Sequence, residues 1–342
     1  MNDLRPLVIS APDPRDLDLI FTKDARQALF DTYRIVECEA DELNQLDPAI
    51  LSEASYVLGQ PPISDELLGK LTSLRAVLNV EGNLFDNMPY DTLFARGIHV
   101  LTTMAVFAEP VAELGLAMAL NLARRIIDAD QAFNTGDEKW GLEGNHNTKL
   151  LSGADVGFVG FGELGKAINK LLTGFQPNVI AYDPWLPASV LKQQGVRPAS
   201  LEAVLKDSDF VFVVASVTSE NEGFLSAKEF ASMRAGAALI LVSRAAVVNF
   251  DDLIDAVESG HIGAASDVFP EEPLSQNHRV RKTKNFIRSA HRAGAMDVAF
   301  KRMGYMVLED MALMDRGLPP MRCKRAERET VGMMRSKPVD KS

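Results

Sequence analysis

A glycine-rich turn near the middle of the chain constrains the fold more than any other feature. Residues 156–183 read VGFVGFGELGKAINKLLTGFQPNVIAYD. Gly160, Gly162 and Gly165 form G-x-G-x-x-G between an apolar run and a helix-like stretch opened by Glu163 and Leu164. Such a unit predicts strand, tight turn and helix. Gly160 permits the turn, Gly162 leaves room for a pyrophosphate, and Gly165 lets helix and strand pack closely. The amides and positive dipole end of the helix start would face the phosphates. Asp183 follows Gly165 at close to the spacing of about 20 residues expected of the acid that binds a ribose 2′-hydroxyl. A carboxylate there repels a 2′-phosphate, and Pro184 and Trp185 follow it rather than Arg. The expected cofactor is NAD rather than NADP.

At 342 residues the chain has room for about two domains. Its net charge of −11 argues against a nucleic-acid or membrane-surface role. The opening MNDLRPLVISAPDPRD lacks the basic flank and apolar core of a signal peptide, and no apolar run is expected to reach the roughly 18 residues of a membrane span. Cys38 and Cys323 have no metal or redox spacing, which suits free thiols in a cytoplasmic protein. No metal site is expected.

Before the glycine turn, residues 7–11, 33–38, 54–58, 74–80 and 98–102 read as strands, and 64–71 reads as a helix capped by Ser64. This alternation predicts a parallel sheet with helices on its faces. A single long helix is expected over about 110–133. Its first half is apolar on most sides, which predicts burial all round in a domain junction or subunit interface. After the turn, strands are expected at 210–215, 238–242, 263–266 and 285–288, with a helix at 252–259. The tail beyond Pro320 carries Arg322, Lys324, Arg325, Arg328, Arg335, Lys337 and Lys341 and reads as a solvated or loosely docked extension.

Ligands of open α/β sheets bind outside the carboxyl ends of the strands. Three residues fall there: Arg244 after AALILVS, Glu272 after GAASDVF, and His291 after NFIRSA. Oxidation of a 2-hydroxy acid by NAD needs a cation for the carboxylate and oxygen, which the arginine fork supplies. It also needs a base, for which histidine is suited, and a carboxylate beside it to orient the ring. Taken singly, each has a plain alternative: an ion-paired arginine, a solvated loop glutamate, an incidental histidine. His99, His146, His261 and His278 lie in strand, loop or helix-end sequence with no such setting.

From about Val80 to Gly317 the chain resembles the D-isomer-specific 2-hydroxyacid dehydrogenases. The matching stretches are VAE followed by LARR, Trp140, GFVGFGELGKA, VTSENEGFLSAKEF, LVSRAAVVNFDDLIDAVESGHIGAASDVFPEEPL and SAHRAG. The resemblance implies that Arg244 binds substrate carboxylate and carbonyl, that His291 is the acid/base, and that Glu272 is its partner. It places Asp267 near the nicotinamide carboxamide, and Ala215, Val242 and Ser243 along the nicotinamide end. Residues 80–84, VEGNL, match the loop whose backbone N–H groups bind the substrate carboxylate, so Gly82 and Asn83 join Arg244 and His291 as substrate-binding candidates. The implied fold is α/β with two Rossmann-like domains. A discontinuous flavodoxin-like substrate domain (1–105 and 293–342) would receive an inserted NAD-binding Rossmann domain (106–292), with substrate bound in a cleft and a homodimer formed through the nucleotide domains.

The chain departs from the family pattern at several places. Ala245 stands where a glycine is usual, Ala290 and Arg292 flank the histidine, and Leu84 replaces a second loop glycine. Glu81 and Asn83 add polar groups, and no basic residue lies in 81–86. These differences point to a substrate unlike that of the best-known members, and no clear phosphate site is expected in that loop. For a 2-hydroxy acid oxidoreductase in general, glyoxylate, hydroxypyruvate and related small acids are the first candidates. Arg292 is open to two readings, recognition of a second anionic group or a solvated side chain. The chain ends too early for the regulatory domain of many phosphoglycerate dehydrogenases. Glu272 argues against formate dehydrogenase activity. Phosphite oxidation and a non-enzymatic NAD(H)-sensing co-repressor are the alternatives.

Overall fold

The computed structural model describes residues 3–334. The chain divides into two compact units, Met1–Val106 with Ala295–Ser342, and Phe107–Gly294.

In the first unit, β1 (Leu7–Ser10), β2 (Arg34–Glu37), β3 (Ala54–Leu58), β4 (Ala76–Asn79) and β5 (His99–Thr102) form a parallel sheet in the order β2-β1-β3-β4-β5. This is the flavodoxin-like order. The inner strands are apolar and buried on both faces, as parallel strands covered by helices must be. The helix Asp65–Lys70 is capped as expected, Ser64 accepting the Leu67 N–H. The register pairs Asn79 with Thr102 and so carries Asn79 to the carboxyl edge of the sheet. The 19-residue helix Asp297–Asp315 packs on the helices Leu17–Ile20 and Lys23–Thr32. Its last residue, Asp315, accepts the hydroxyls of Tyr33 and Tyr56, each at 2.7 Å, and pairs with Arg75 at 3.0 Å.

The tail corrects the expectation of a loose extension. Lys324–Arg325 pairs antiparallel with β5, and Ala326 donates to the Val100 carbonyl. The buried Asp310 carboxylate accepts the backbone N–H groups of Met321, Arg322 and Cys323. Three charge-assisted bonds fix the turn and close an edge that β5 would otherwise leave unpaired. Arg335, Lys337 and Lys341 lie outside the described residues.

In the second unit, β6 (Asp155–Val159), β7 (Asn178–Tyr182), β8 (Arg197–Pro198), β9 (Phe210–Val213), β10 (Ala238–Leu241), β11 (Gly263–Ser266) and β12 (Phe286–Arg288) are all parallel, in the order β8-β7-β6-β9-β10-β11-β12. The first six strands reproduce the dinucleotide-binding order, and the order reverses between β6 and β9. Side chains alternate between two cores. Val211, Val213, Leu239 and Leu241 enter one, while Phe210, Phe212, Ala238 and Ile240 enter the other.

The expected single helix is two, Ala108–Arg124 and Ile126–Thr135, separated by Arg125 in the left-handed region at φ 52°. The break is held by the Asn121 side chain, which accepts the Ile127 N–H, and by the Arg125–Asp128 ion pair. Within the single chain one face of the first helix is buried. Ala112, Gly115, Met118, Ala119 and Ala123 are buried, and a side chain at Gly115 would meet Val242, Ile168 and Phe212. Leu114, Leu116, Leu120 and Leu122 are only partly buried, and the second helix buries nothing. Met104–Arg124 is also 21 residues long with mean hydropathy 1.4, so one stretch of the described residues does reach spanning length, contrary to expectation. Its buried stripe is part of the second unit's core.

Candidate active site

The glycine turn sits at the reversal point of the second sheet, between β6 and the helix Glu163–Leu172. Gly160 has φ 83°, and a Cβ there would stand 2.7 Å from the Ala215 Cα. Gly162 is exposed and nothing lies within 4 Å of where its Cβ would be. At Gly165 a Cβ would press on the Phe161 ring at 3.2 Å and the Gly160 carbonyl at 3.4 Å. No side chain caps the helix, so its first-turn N–H groups, including those of Glu163 and Leu164, are left to an outside acceptor. The Glu163 carboxylate pairs with Lys166 at 2.8 Å. A pyrophosphate fits this cradle: donors are presented, the approach is unobstructed, and the Glu163 carboxylate carries a counter-charge.

Asp183 follows β7 and is tied to the turn itself. Its Oδ2 accepts the Phe161 N–H at 2.7 Å, while Oδ1 accepts those of Trp185 at 2.9 Å and Leu186 at 3.1 Å. The carboxylate therefore stands fixed beside the cradle.

Ala215, Val242 and Ser243 follow β9 and β10 at the carboxyl edge. The Ser243 hydroxyl donates to the Val213 carbonyl at 3.2 Å. Arg244 is next, in extended backbone, with Nη1 on the Ser243 carbonyl at 2.7 Å.

His291 follows β12 in the left-handed region at φ 48°. Its ring Nδ1 lies 2.6 Å from Glu272 Oε2, and Glu272 Oε1 accepts the Phe269 N–H at 2.8 Å. Burial pushes the Glu272 carboxyl up. The His291 hydrogen bond, the Phe269 N–H and the charges of His291 and Arg244 outweigh it and hold the group below the ordinary glutamate value. The ring is therefore set beside a carboxylate that stays charged, with Nε2 lacking a partner among the described residues. Asp267 fixes the backbone: its carbonyl accepts the His291 N–H at 2.7 Å, and its carboxylate accepts those of Arg292 at 3.1 Å and Ala293 at 3.0 Å. Its oxygens are thus engaged by the loop of the histidine. The Arg292 side chain is exposed and has no hydrogen bond or ion pair among the described residues.

Gly82 and Asn83 lie in the first unit, in the loop after β4, with Gly82 at φ 116°. Two further residues shape this loop that the sequence reading did not single out. Asn79, fully buried, accepts the Glu81 and Gly82 N–H groups, and Arg15 donates to the Val80 and Glu81 carbonyls. An asparagine ending a buried apolar strand is a usable signal, because an amide there must find partners. Arg15 carries no such signal, since its partners are far off in sequence.

Residues 116–293 match the model of the D-isomer specific 2-hydroxyacid dehydrogenase NAD binding domain. The glyoxylate reductase of Thermococcus litoralis is 32% identical over 274 residues, which covers 78% of this chain and 82% of that protein. A crystal structure described as a phosphoglycerate oxidoreductase from Rhizobium etli is 62% identical with a TM-score of 0.89, covering 95% of this chain and 100% of that one. The D-lactate dehydrogenase of Aquifex aeolicus, complexed with NAD and lactic acid, shares the fold at 22% identity and a TM-score of 0.65, covering 91% and 96%.

Proposed function

The chain belongs to the D-isomer specific 2-hydroxyacid dehydrogenase family, and we propose that Arg244, Glu272 and His291 carry out its NAD-dependent interconversion of a D-2-hydroxy acid and the corresponding 2-oxo acid. When bound at Gly160–Gly165 and Asp183, the cofactor supplies or accepts the hydride. The protein's part is to hold the substrate carbon in line and to move one proton. Arg244 grips the substrate carboxylate and polarises the C2 oxygen with its planar fork. In the reducing direction His291 Nε2 gives its proton to that oxygen as negative charge develops; in the oxidising direction it takes the proton back. Glu272 stabilises the positive imidazolium and prevents ring rotation. Asn83 assists through the loop backbone, Ala215, Val242 and Ser243 line the nicotinamide end, and Asp267 holds the loop that carries His291.

The observation that carries this reading is the 2.6 Å contact of His291 Nδ1 with Glu272, which leaves Nε2 for a reactant. The test is NADH oxidation with a panel of 2-oxo acids, headed by glyoxylate and hydroxypyruvate. His291→Ala and Arg244→Ala should lose turnover by about 100-fold or more while NADH binding persists. Tight NADH binding with no acid reduced would favour the sensor reading instead.

Two observations favour a substrate with a second anionic group. The Arg292 side chain stands next to the base with no partner among the described residues, and the relative at 62% identity is described as a phosphoglycerate oxidoreductase. On this reading Arg292→Ala raises KM for phosphohydroxypyruvate and leaves KM for glyoxylate unchanged; equal effects on both exclude it.

A homodimer is the proposed assembly. Ile126, Phe133, Trp140, Leu142 and Leu150 are each more than half exposed in the single chain and follow the partly buried leucines of the preceding helix. Light scattering at micromolar concentration should give twice the chain mass. The free thiols of Cys38 and Cys323 support a cytoplasmic location.

A further inference from the structure

The loop after β4 has an unusual balance of hydrogen bonds. Four consecutive carbonyls are turned onto protein donors. Val80 O receives Arg15 Nε at 3.0 Å, Glu81 O receives Arg15 Nη2 at 3.2 Å, Gly82 O receives the Thr102 hydroxyl at 2.9 Å, and Asn83 O receives Asn79 Nδ2 at 2.6 Å. In a trans peptide the C=O and the following N–H point opposite ways. Fixing each carbonyl therefore fixes the next N–H. The Glu81 and Gly82 N–H groups land on Asn79 Oδ1, at 3.0 and 2.9 Å. The N–H groups of Asn83 and Leu84 are turned away from those anchors and have no acceptor among the described residues.

Asn79 is the centre of this arrangement. It is fully buried, and every hydrogen-bonding position of its amide is filled: Oδ1 by two N–H groups, Nδ2 by Asn83 O and by Gln60 Oε1 at 2.5 Å. Gln60 is held in turn by Phe85 O at 3.1 Å and Asn87 Oδ1 at 2.8 Å. Gly82, at φ 116°, supplies the backbone reversal between the inward pair of N–H groups and the outward pair. Arg15 closes the other side with two prongs, its guanidinium 4.5 Å from the centre of the Phe300 ring. Two neighbouring outward N–H groups, with the carbonyl ends of their peptides turned inward, make a concavity for an anion. The buried Glu81 carboxylate would oppose an incoming anion, and the Arg15 charge, which is coupled to it, offsets that repulsion.

We propose that Asn79 and Arg15 are positioning residues: they turn the Asn83 and Leu84 N–H groups into the receptor for the substrate carboxylate. This rests on the substrate role of the loop in the proposed function. Lysine is a poor substitute for Arg15, because one ammonium cannot reproduce a fork directed at two successive carbonyls.

The test is steady-state kinetics with glyoxylate and NADH, beside NADH affinity by fluorescence, for the unsubstituted protein, Arg15→Ala, Arg15→Lys and Asn79→Ser. The expected result in Arg15→Ala is a KM for glyoxylate raised about tenfold or more, with kcat at saturation and NADH affinity within about threefold. Arg15→Lys should fall between, and added guanidinium ion should restore part of the KM in Arg15→Ala. Asn79→Ser should behave like Arg15→Ala; should it fail to fold, Arg15→Lys and the guanidinium rescue decide the matter. Unchanged KM in folded variants overturns the proposal and leaves the enzyme reading intact, as does equal loss of kcat and NADH affinity without rescue. An unsubstituted protein that reduces no 2-oxo acid overturns both.

Discussion

Replacing Asp267 by Ala should disable the site without touching the proton-carrying group. His291 is held at φ 48°, a conformation that costs a non-glycine residue roughly 1–2 kcal/mol. Opposing that strain, the Asp267 carboxylate accepts the N–H groups of Arg292 and Ala293, and the Asp267 carbonyl accepts that of His291. A bond to a charged group contributes about 1.5–3 kcal/mol and a neutral one about 1 kcal/mol. The carboxylate thus supplies several times the strain it holds in place. In Asp267→Ala only the neutral bond remains, about equal to or below the strain, and the buried Ala293 N–H is left without an acceptor. The loop should relax and carry His291 off Glu272. The assay is kcat with a 2-oxo acid together with the NADH dissociation constant. The expected outcome is a kcat lower by about 100-fold or more, approaching that of His291→Ala, with NADH affinity within about threefold. Asp267→Asn, which keeps one acceptor oxygen, should lose less. A kcat within threefold of the unsubstituted protein refutes the reasoning. So does a large loss of NADH affinity with kcat preserved, which would mean that Asp267 acts through the cofactor.

Three further outcomes are expected. Asp183→Ala removes the acceptor of the Phe161 N–H as well as the proposed ribose partner, so NADH should bind about tenfold or more weakly and discrimination against NADPH should narrow, as isothermal titration would record. Gly160→Ala places a Cβ against Ala215 at positive φ and should cost roughly 2–5 kcal/mol in denaturant unfolding, with NADH binding lost. Glu272 has its carboxyl pKa lowered in the folded protein, so its contribution to stability is present above the ordinary glutamate range and is lost as pH falls through the folded value. The Tm difference between the unsubstituted protein and Glu272→Gln should shrink on acidification; a difference that widens contradicts the sign.

The strands and the glycine turn were legible because local chemistry decides them. Residues 54–58 and 263–266 are bounded as expected, being short apolar or small-residue runs between turn signals. What escaped depends on partners distant in sequence or on conformations that residue type does not announce. The run LARRIIDADQ favours a continuous helix, and nothing in it marks Arg125 as left-handed; Asn121 and Asp128 hold the break. The basic tail looks solvated until Asp310 and the open edge of β5 are seen to hold it. In the site, placement after successive strands put Glu272 and His291 at one sheet edge, and the family resemblance implied their pairing. The clamp of Asn79 and Arg15 on the loop was not, because its geometry is set by carbonyl directions. Gly82 was expected to offer its N–H to substrate, yet that group is spent on Asn79.

Hydride transfer at Arg244, Glu272 and His291 can be followed by isotope transfer. The protein is incubated with NADH deuterated at nicotinamide C4, on the face whose hydride is transferred, together with a 2-oxo acid that supports NADH oxidation, and the product is examined by NMR. The account predicts deuterium on C2 of the D-2-hydroxy acid, with the signal lost in His291→Ala. Product carrying no label at C2, or undiminished labelling in His291→Ala, would contradict it.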